Sequence, residues 1–137
     1  MNTLPGSVAS VDTGDNLSIV KISPAAQPGD RITAIVIDTP GSAAYLRQGC
    51  AVLVLFKETE VIIAKDFTGL ISVQNKFSCT IKAVEKGKLL AKVILDYAGA
   101  EINSIITVNA VNTLALAAGD MVTALVKTNE ISIAPHD

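Results

Sequence analysis

Tryptophan is missing from this 137-residue chain, and phenylalanine and tyrosine together bring the aromatic share to only 4%. Basic residues are no surplus either: 11 lysines and arginines face 13 aspartates and glutamates, a formal net charge of −2. Binders of nucleic acid present a basic surface, and binders of single strands add stacking aromatics. Direct nucleic-acid binding is therefore excluded as a first reading. Long hydrophobic runs are absent as well. The apolar stretch Ala51–Phe56 falls far short of the roughly 20 residues of a membrane-spanning helix. The segment Met1–Gly6 has neither a basic n-region nor a long apolar h-region, so no secretory signal is read and a cytoplasmic location is expected. What the chain has in abundance is aliphatic: half of its residues are apolar and only 18% are charged. Disorder is excluded by that balance, and a subunit with apolar interfaces is expected.

Chemistry-bearing residues are scarce. Cys50 and Cys79 stand alone without CxxC spacing and read as reduced, buried thiols. The single histidine, His136, is next to last and reads as a free tail residue. Three such residues scattered singly make no zinc site. No GxSxG elbow, GxGxxG fingerprint or P-loop occurs. Carboxylates such as Glu58, Glu60, Asp120 and Glu130 fall at turns or strand ends, where solvation accounts for them. The chain reads as a non-enzyme without a cofactor or metal cation.

Internal similarity is the strongest signal. Asn2–Val11 lies on Asn75–Val84, and the same spacing carries Gly14 onto Gly87. Further on, Arg31–Val36 falls on Glu101–Ile106, Gly49 on Gly119, Lys57 on Lys127 and Glu60 on Glu130. The three extra residues of the first copy fit the proline- and glycine-bearing stretch Ser23–Asp30. Two units are expected, residues 1–66 and 67–137. Val- and Ile-rich segments predict strands at Gly6–Val11, Leu17–Ile22, Arg31–Ile37, Ala51–Phe56 and Val61–Ala64. The second copy repeats them at Cys79–Val84, Leu89–Asp96, Glu101–Thr107, Met121–Val126 and Ile131–Ala134. One short helix per unit is predicted, at Ser42–Leu46 and Val111–Leu116. The expected fold is all-β: two tandem OB-like five-stranded Greek-key barrels, each with one short helix.

Oxyanion binding survives these exclusions because it needs donors and no nucleophile. A tetrahedral dianion offers only acceptors, so its pocket wants N–H groups, hydroxyls, amides and a lysine. The second unit supplies Ser72, Gln74 and Asn75 before its first strand, Thr107, Asn109 and Ala110 leading into its helix, and Lys127 with Thr128 after its fourth strand.

Those blocks carry a family resemblance. Ser72–Asn75, Val84–Gly87, Ile102–Thr107, Leu116–Gly119 and Ala124–Lys127, recurring in that order, resemble the Mop domain, a small OB-like unit of the TOBE group. Mop domains bind molybdate or tungstate; they occur in tandem in molbindins and in regulators and importer ATPases that respond to molybdate. The resemblance covers the chain as a di-Mop arrangement and is clearer in the second unit. It implies that the Ser-Ala-Arg-Asn signature falls on Ser72–Asn75, the threonine after the third strand on Thr107, the N–H donor on Ala110, and the lysine loop on Lys127 and Thr128. Gln74 stands where the family has arginine, which removes one positive charge from the site. In the first unit only Met1 precedes Asn2. Ile37 holds the threonine position, Pro40 the donor position, and Glu58 follows Lys57. Lys57 is the basis of a weaker first-unit site.

The resemblance implies cytoplasmic storage or buffering of molybdate or tungstate at sites between units or subunits of a homo-oligomer, with a trimer favoured. The alternatives are a ligand-sensing module of a regulator or transporter, and an architectural OB-like oligomer with no ligand.

Overall fold

Alternation of buried and exposed side chains builds the strands. In the segment Asn75–Lys86, residues Asn75, Phe77, Cys79 and Ile81 point inward, while Lys76, Ser78, Thr80 and Lys82 face water. The computed structural model describes residues 1–136. Its strands are β1 (Asn2–Thr13), β2 (Ser18–Pro24), β3 (Ile32–Val36), β4 (Ala51–Phe56), β5 (Ile62–Ala64), β6 (Asn75–Lys86), β7 (Leu90–Tyr97), β8 (Ala100–Thr107), β9 (Met121–Val126) and β10 (Ser132–Pro135). Helix α1 spans Val108–Leu114, and single 3-10 turns cover Glu58–Glu60 and Thr128–Glu130. All ten predicted strands are present. β1 and β6 begin earlier than expected, at Asn2 and Asn75; in β1 Pro5 and Gly6 are accommodated inside the strand rather than turning the chain. Gly6 is required there: an added Cβ would lie 2.6 Å from the Ser23 carbonyl oxygen.

The strands form two curled five-stranded sheets, in the orders β10-β4-β1-β2-β3 and β5-β9-β6-β7-β8. All pairings are antiparallel. Each long first strand carries an irregularity at the same repeat position, between Val8 and Ser10 in β1 and between Ile81 and Ala83 in β6. Such a bulge bends a strand and lets one strand serve both sides of a curled sheet. The repeat units and the sheets are not coextensive. β5, the last strand of the first unit, pairs with β9 of the second (Ile63 opposite Ala124). β10, the last strand of the second unit, pairs with β4 of the first (Ile133 opposite Val54). The ladder continues past β10, because the His136 N–H donates to the Ala51 carbonyl at 3.2 Å. The residue expected in a free tail is therefore tied down by its backbone.

A single apolar core runs through both sheets. At its centre Phe56 stacks on Phe77 with ring centroids 5.8 Å apart, and Phe77 meets the edge of Tyr97 at 5.1 Å. The Tyr97 hydroxyl donates to Asp30 Oδ2 at 2.6 Å, carrying the contact back to the first unit. Burial, together with the Asp30 carboxylate that accepts its hydrogen bond, holds the Tyr97 phenol well above its ordinary pKa.

Side-chain amides close the sheet edges. β3 and β8 end their sheets and present unpaired backbone groups. Asn75 Oδ1 accepts from the Thr33 N–H at 2.7 Å, and its Nδ2 donates to the Thr33 carbonyl at 2.8 Å. Asn2 does the same for Asn103 in β8, with both bonds at 2.8 Å. A carboxamide offers one donor and one acceptor side by side, so it substitutes for a strand residue at one ladder position.

The helix expected in each unit forms only in the second. Thr107 caps α1, its Oγ1 accepting from the Ala110 N–H at 3.0 Å. The matching first-unit position is Ile37, which has no acceptor, and the Pro40-Gly41 pair follows. Ser42–Leu46 therefore closes turns only, with the Ala43 N–H bonded to the Thr39 carbonyl and the Leu46 N–H to the Ala43 carbonyl.

Candidate functional site

The expected donors of the second unit form two groups. The first is assembled by the pairing of β6 with β9. Asn75 opens β6 directly opposite Val126, the last residue of β9. The residues on either side of that pair, Gln74 and Lys127, are thereby brought to the same end of the sheet. Ser72 precedes and Thr128 follows. Ser72, Gln74 and Lys127 are exposed, and Thr128 is half-buried. Lys127 has extended backbone and heads the turn Thr128–Glu130. Among the described residues it makes no ion pair. Asn75 differs from its neighbours: it is 1% exposed and its amide is engaged with Thr33 at both ends. Its side chain fixes the position of the group rather than offering free donors to it.

The second group lies at the far end of β6. Thr107 closes β8 opposite Leu90, and Ala91 next to Leu90 pairs with Lys86, the last residue of β6. The twelve residues of β6 separate the two groups, a span of up to about 36 Å along a straight strand at roughly 3.3 Å per residue. Here the Thr107 hydroxyl already accepts from the Ala110 N–H, and the Val108 N–H donates to the Leu89 carbonyl at 2.9 Å. Asn109 is exposed. Lys86 Nζ donates to Asn112 Oδ1 at 3.0 Å and joins the β6–β7 hairpin to α1.

Within one chain, then, Lys127 and Thr107 do not meet. The lysine-headed turns pack crosswise instead. Thr128–Glu130 lies against β3, and Glu58–Glu60 lies against β8. Asn129 shares a cavity of ≈ 340 Å³ with Ile37, Asp38 and Tyr45 of the first unit. Lys57, exposed at the head of its own turn, borders a smaller cavity of ≈ 210 Å³ with Asn129, Glu130 and Ser132. The strand exchange is the cause, since it lays the end of each unit on the other.

One positioning residue was not singled out from the sequence. Lys65 follows β5 and donates to the Leu114 and Ala115 carbonyls at 3.1 and 3.0 Å, satisfying the C-terminal end of α1. The same ammonium pairs with Asp120 Oδ2 at 3.2 Å. That oxygen also accepts from the Ala117 N–H at 2.9 Å, and these two bonds hold the Asp120 carboxyl below its usual pKa. A lysine followed by a turn carries no signal of this role, because its partners lie about fifty residues away.

No cluster of three or more His, Cys, Asp or Glu residues able to hold a metal ion occurs among the described residues. Both cysteines are free, and burial pushes the Cys79 thiol up to about 12. Among the described residues, no helix is long and apolar enough to cross a membrane.

Comparison with known proteins bears on this arrangement. Residues 71–133 match the TOBE domain. The fold superposes on the solved structure of ModG, described as a cytoplasmic molybdate-binding protein and determined with molybdate bound. The TM-score is 0.91 at 28% sequence identity, over 98% of this chain and 96% of that one. The chain is 30% identical over 135 residues to the molybdenum transport protein ModE of Herbaspirillum seropedicae, covering 97% of this chain and 49% of ModE. It is 34% identical over 87 residues to the molybdenum import ATP-binding protein ModC of Brucella abortus (strain 2308), covering 63% of this chain and 24% of ModC. The chain thus spans about half the length of ModE and about a quarter of ModC.

Proposed function

As a tandem, molbindin-like member of the TOBE group, this chain is, we propose, a cytoplasmic binding protein that stores or buffers molybdate or tungstate, and not an enzyme. The units are residues 1–66 and 67–137. The observation that carries the reading is the convergence of Ser72, Gln74, Lys127 and Thr128 on one end of β6, with the Lys127 ammonium unpaired among the described residues. Hydroxyl, amide and ammonium donors without an opposing ion pair suit a dianion that offers only acceptors. The likeness to ModG supports the same ligand class.

Asn109 and Thr107, whose hydroxyl can still donate its O–H while its oxygen accepts from the Ala110 N–H, complete the shell from a second copy. Their distance along β6 from Lys127 motivates this division, and it makes a homo-oligomer, with a trimer favoured, part of the function. The first unit contributes through Lys57 at most, because Ile37 and Pro40 replace its hydroxyl and N–H donors.

Calorimetric titration with molybdate, tungstate and sulfate tests the reading. Lys127→Ala lowers molybdate affinity by roughly 2–5 kcal/mol for a buried charge contact, Lys57→Ala by much less, and Gln74→Arg raises it by about tenfold through the added charge. Absence of heat with either metal oxyanion ends the proposal. Equal losses from the two lysine variants overturn the assignment of the site to the second unit.

A second reading, a ligand-sensing module, is favoured by the match of nearly the whole chain to half of ModE. It predicts ligand-dependent changes in hydrogen exchange on surfaces away from the donors, where a storage protein stays unchanged.

A further inference from the structure

Helix α1 is too short to hold itself. It has seven residues, and helices of that length are unstable alone in water. Packing adds little, since Val111 is the one buried residue among the seven. Thr107 caps the first turn. At the other end Ala115 adopts a left-handed conformation, and the Ala115 and Leu116 N–H groups return to the Asn112 and Val111 carbonyls. The Leu114 and Ala115 carbonyls are taken by a residue of the first unit, Lys65, at 3.1 and 3.0 Å. The same ammonium meets Asp120 Oδ2 at 3.2 Å, just ahead of β9. One half-buried cation thus clamps the helix to the exchanged strand β5 and to the start of β9.

The first repeat lacks this clamp. By the offset that places Lys57 on Lys127, Pro135 stands at the position of Lys65 and Cys50 at that of Asp120. Neither an ammonium nor a carboxylate is present there. The corresponding segment Ser42–Leu46 forms turns and no helix. Tyr45, at the position of Ala115, sends its hydroxyl to the Ile133 carbonyl at 3.4 Å instead. Cap, clamp and helix are found together in one repeat and are missing together from the other.

We infer that Lys65 is a positioning residue for oxyanion binding: from the first repeat it keeps α1 of the second ordered, and with it the Thr107 hydroxyl and the Asn109 amide. The inference rests on the reading of those two side chains as donors to the anion. Lys65 itself needs no contact with the ligand. Donors on a helix that is ordered part of the time bind with an affinity reduced by the ordered fraction. A helix populated about one-tenth of the time binds about tenfold more weakly. The first repeat thereby tunes the affinity of a site whose donors belong to the second.

Lys65→Met on the full chain keeps an unbranched stem and removes the ammonium. Calorimetric titration with molybdate is expected to give an affinity about tenfold below that of the original chain. Hydrogen exchange is expected to show lower protection of the Ala110 amide, with the β6–β7 ladder unchanged. A lysine that served overall stability alone would lower protection of the ladder and leave the affinity of the folded protein as it was. A double-mutant cycle locates the effect. The loss from Lys65→Met is expected to shrink on an Asn109→Ala background, where a donor of α1 is already gone. It is expected to add in full to Gln74→Ala, at the other end of β6. Asp120→Asn loosens the clamp from the β9 side, is expected to weaken binding by a smaller factor, and carries the test if Lys65→Met does not fold. Unchanged affinity in either folded variant overturns the inference, as does a Lys65→Met loss undiminished by Asn109→Ala. Absence of heat from the original chain overturns the oxyanion reading and this inference together, so the two failures are told apart.

Discussion

Asn2 and Asn75 stand at the same position of the two repeat units, and each inserts its side-chain amide into the edge strand of the other unit's sheet. Asn75 holds Thr33 through bonds of 2.7 and 2.8 Å, and Asn2 holds Asn103 through two bonds of 2.8 Å. Both asparagines are buried, so their polar atoms rely on these partners. The pair makes the contact between units a matter of backbone geometry as well as apolar packing.

Asn75→Ala leaves the Thr33 N–H and carbonyl without partners. Stability is expected to fall by about 2–4 kcal/mol, the scale of two lost bonds with their buried groups left unsatisfied. Asn75→Asp keeps the acceptor for the Thr33 N–H but sets a carboxylate against the Thr33 carbonyl, and is expected to fare no better than alanine. Urea denaturation with an unchanged m-value measures both. A midpoint equal to the original for Asn75→Ala removes the clip as a stabilising element.

Tyr97 gives the fold an alkaline limit. Its folded pKa is raised above the ordinary value of 10.0 by burial first and by the Asp30 hydrogen bond next. A raised value favours the protonated phenol in the folded state. The stabilisation is thus complete below the unfolded value near 10 and is lost as pH climbs from there toward the folded value. Tyr97→Phe is expected to lower stability at neutral pH by about 1–2 kcal/mol and to flatten the alkaline decline. Thermal melts of both proteins at rising pH decide it; parallel declines would assign the loss elsewhere.

Asp120 acts in the opposite sense. The Ala117 N–H and the Lys65 ammonium lower its pKa, so its contribution is present above the ordinary carboxylate value and is lost as pH falls through the folded one. Acidification from about pH 5 to well below the ordinary carboxylate value of 3.8 is expected to lower the protection factor of the Ala117 amide, relative to its intrinsic exchange rate, and to loosen the end of α1. Asp120→Asn should exchange quickly at both pH values. An Ala117 amide equally protected across that range in the original chain contradicts this role.

Much of the architecture was legible because a tandem repeat supplies its own comparison. Matching Asn2–Val11 to Asn75–Val84 aligned two repeats of one strand order, and β-branched segments between turns located the strands. The exchange of β5 and β10 was not legible. Val61–Ala64 reads as an apolar strand whichever sheet receives it, since the pattern reports burial and not the partner. The first-unit helix was misread because the apolar residues of Ser42–Leu46 suggested one, while the cap that decides the matter lies five residues upstream, at Ile37 in one unit and Thr107 in the other. Asn75 was read as a donor for an anion. Its residue type was the right signal for paired hydrogen bonding, but the partner is the backbone of Thr33, distant in sequence. That Lys127 and Thr107, both donors of the second unit, lie at opposite ends of β6 was not legible, because only the strand register separates them.

The exchanged strands also change what the peptide between Ala64 and Asn75 does. Two folded bodies joined by a linker would drift apart if it were cut. Here each half would keep a sheet lacking one strand and a strand lacking its sheet, and reassociation would restore both. The connecting peptide is thus less a tether than a counting device. It guarantees that every copy of the second repeat is built with one copy of the first, and it rules out assemblies made of either kind alone. A unit with Ile37 and Pro40 at the positions of Thr107 and Ala110 remains indispensable, because its neighbour's sheet is finished with its backbone.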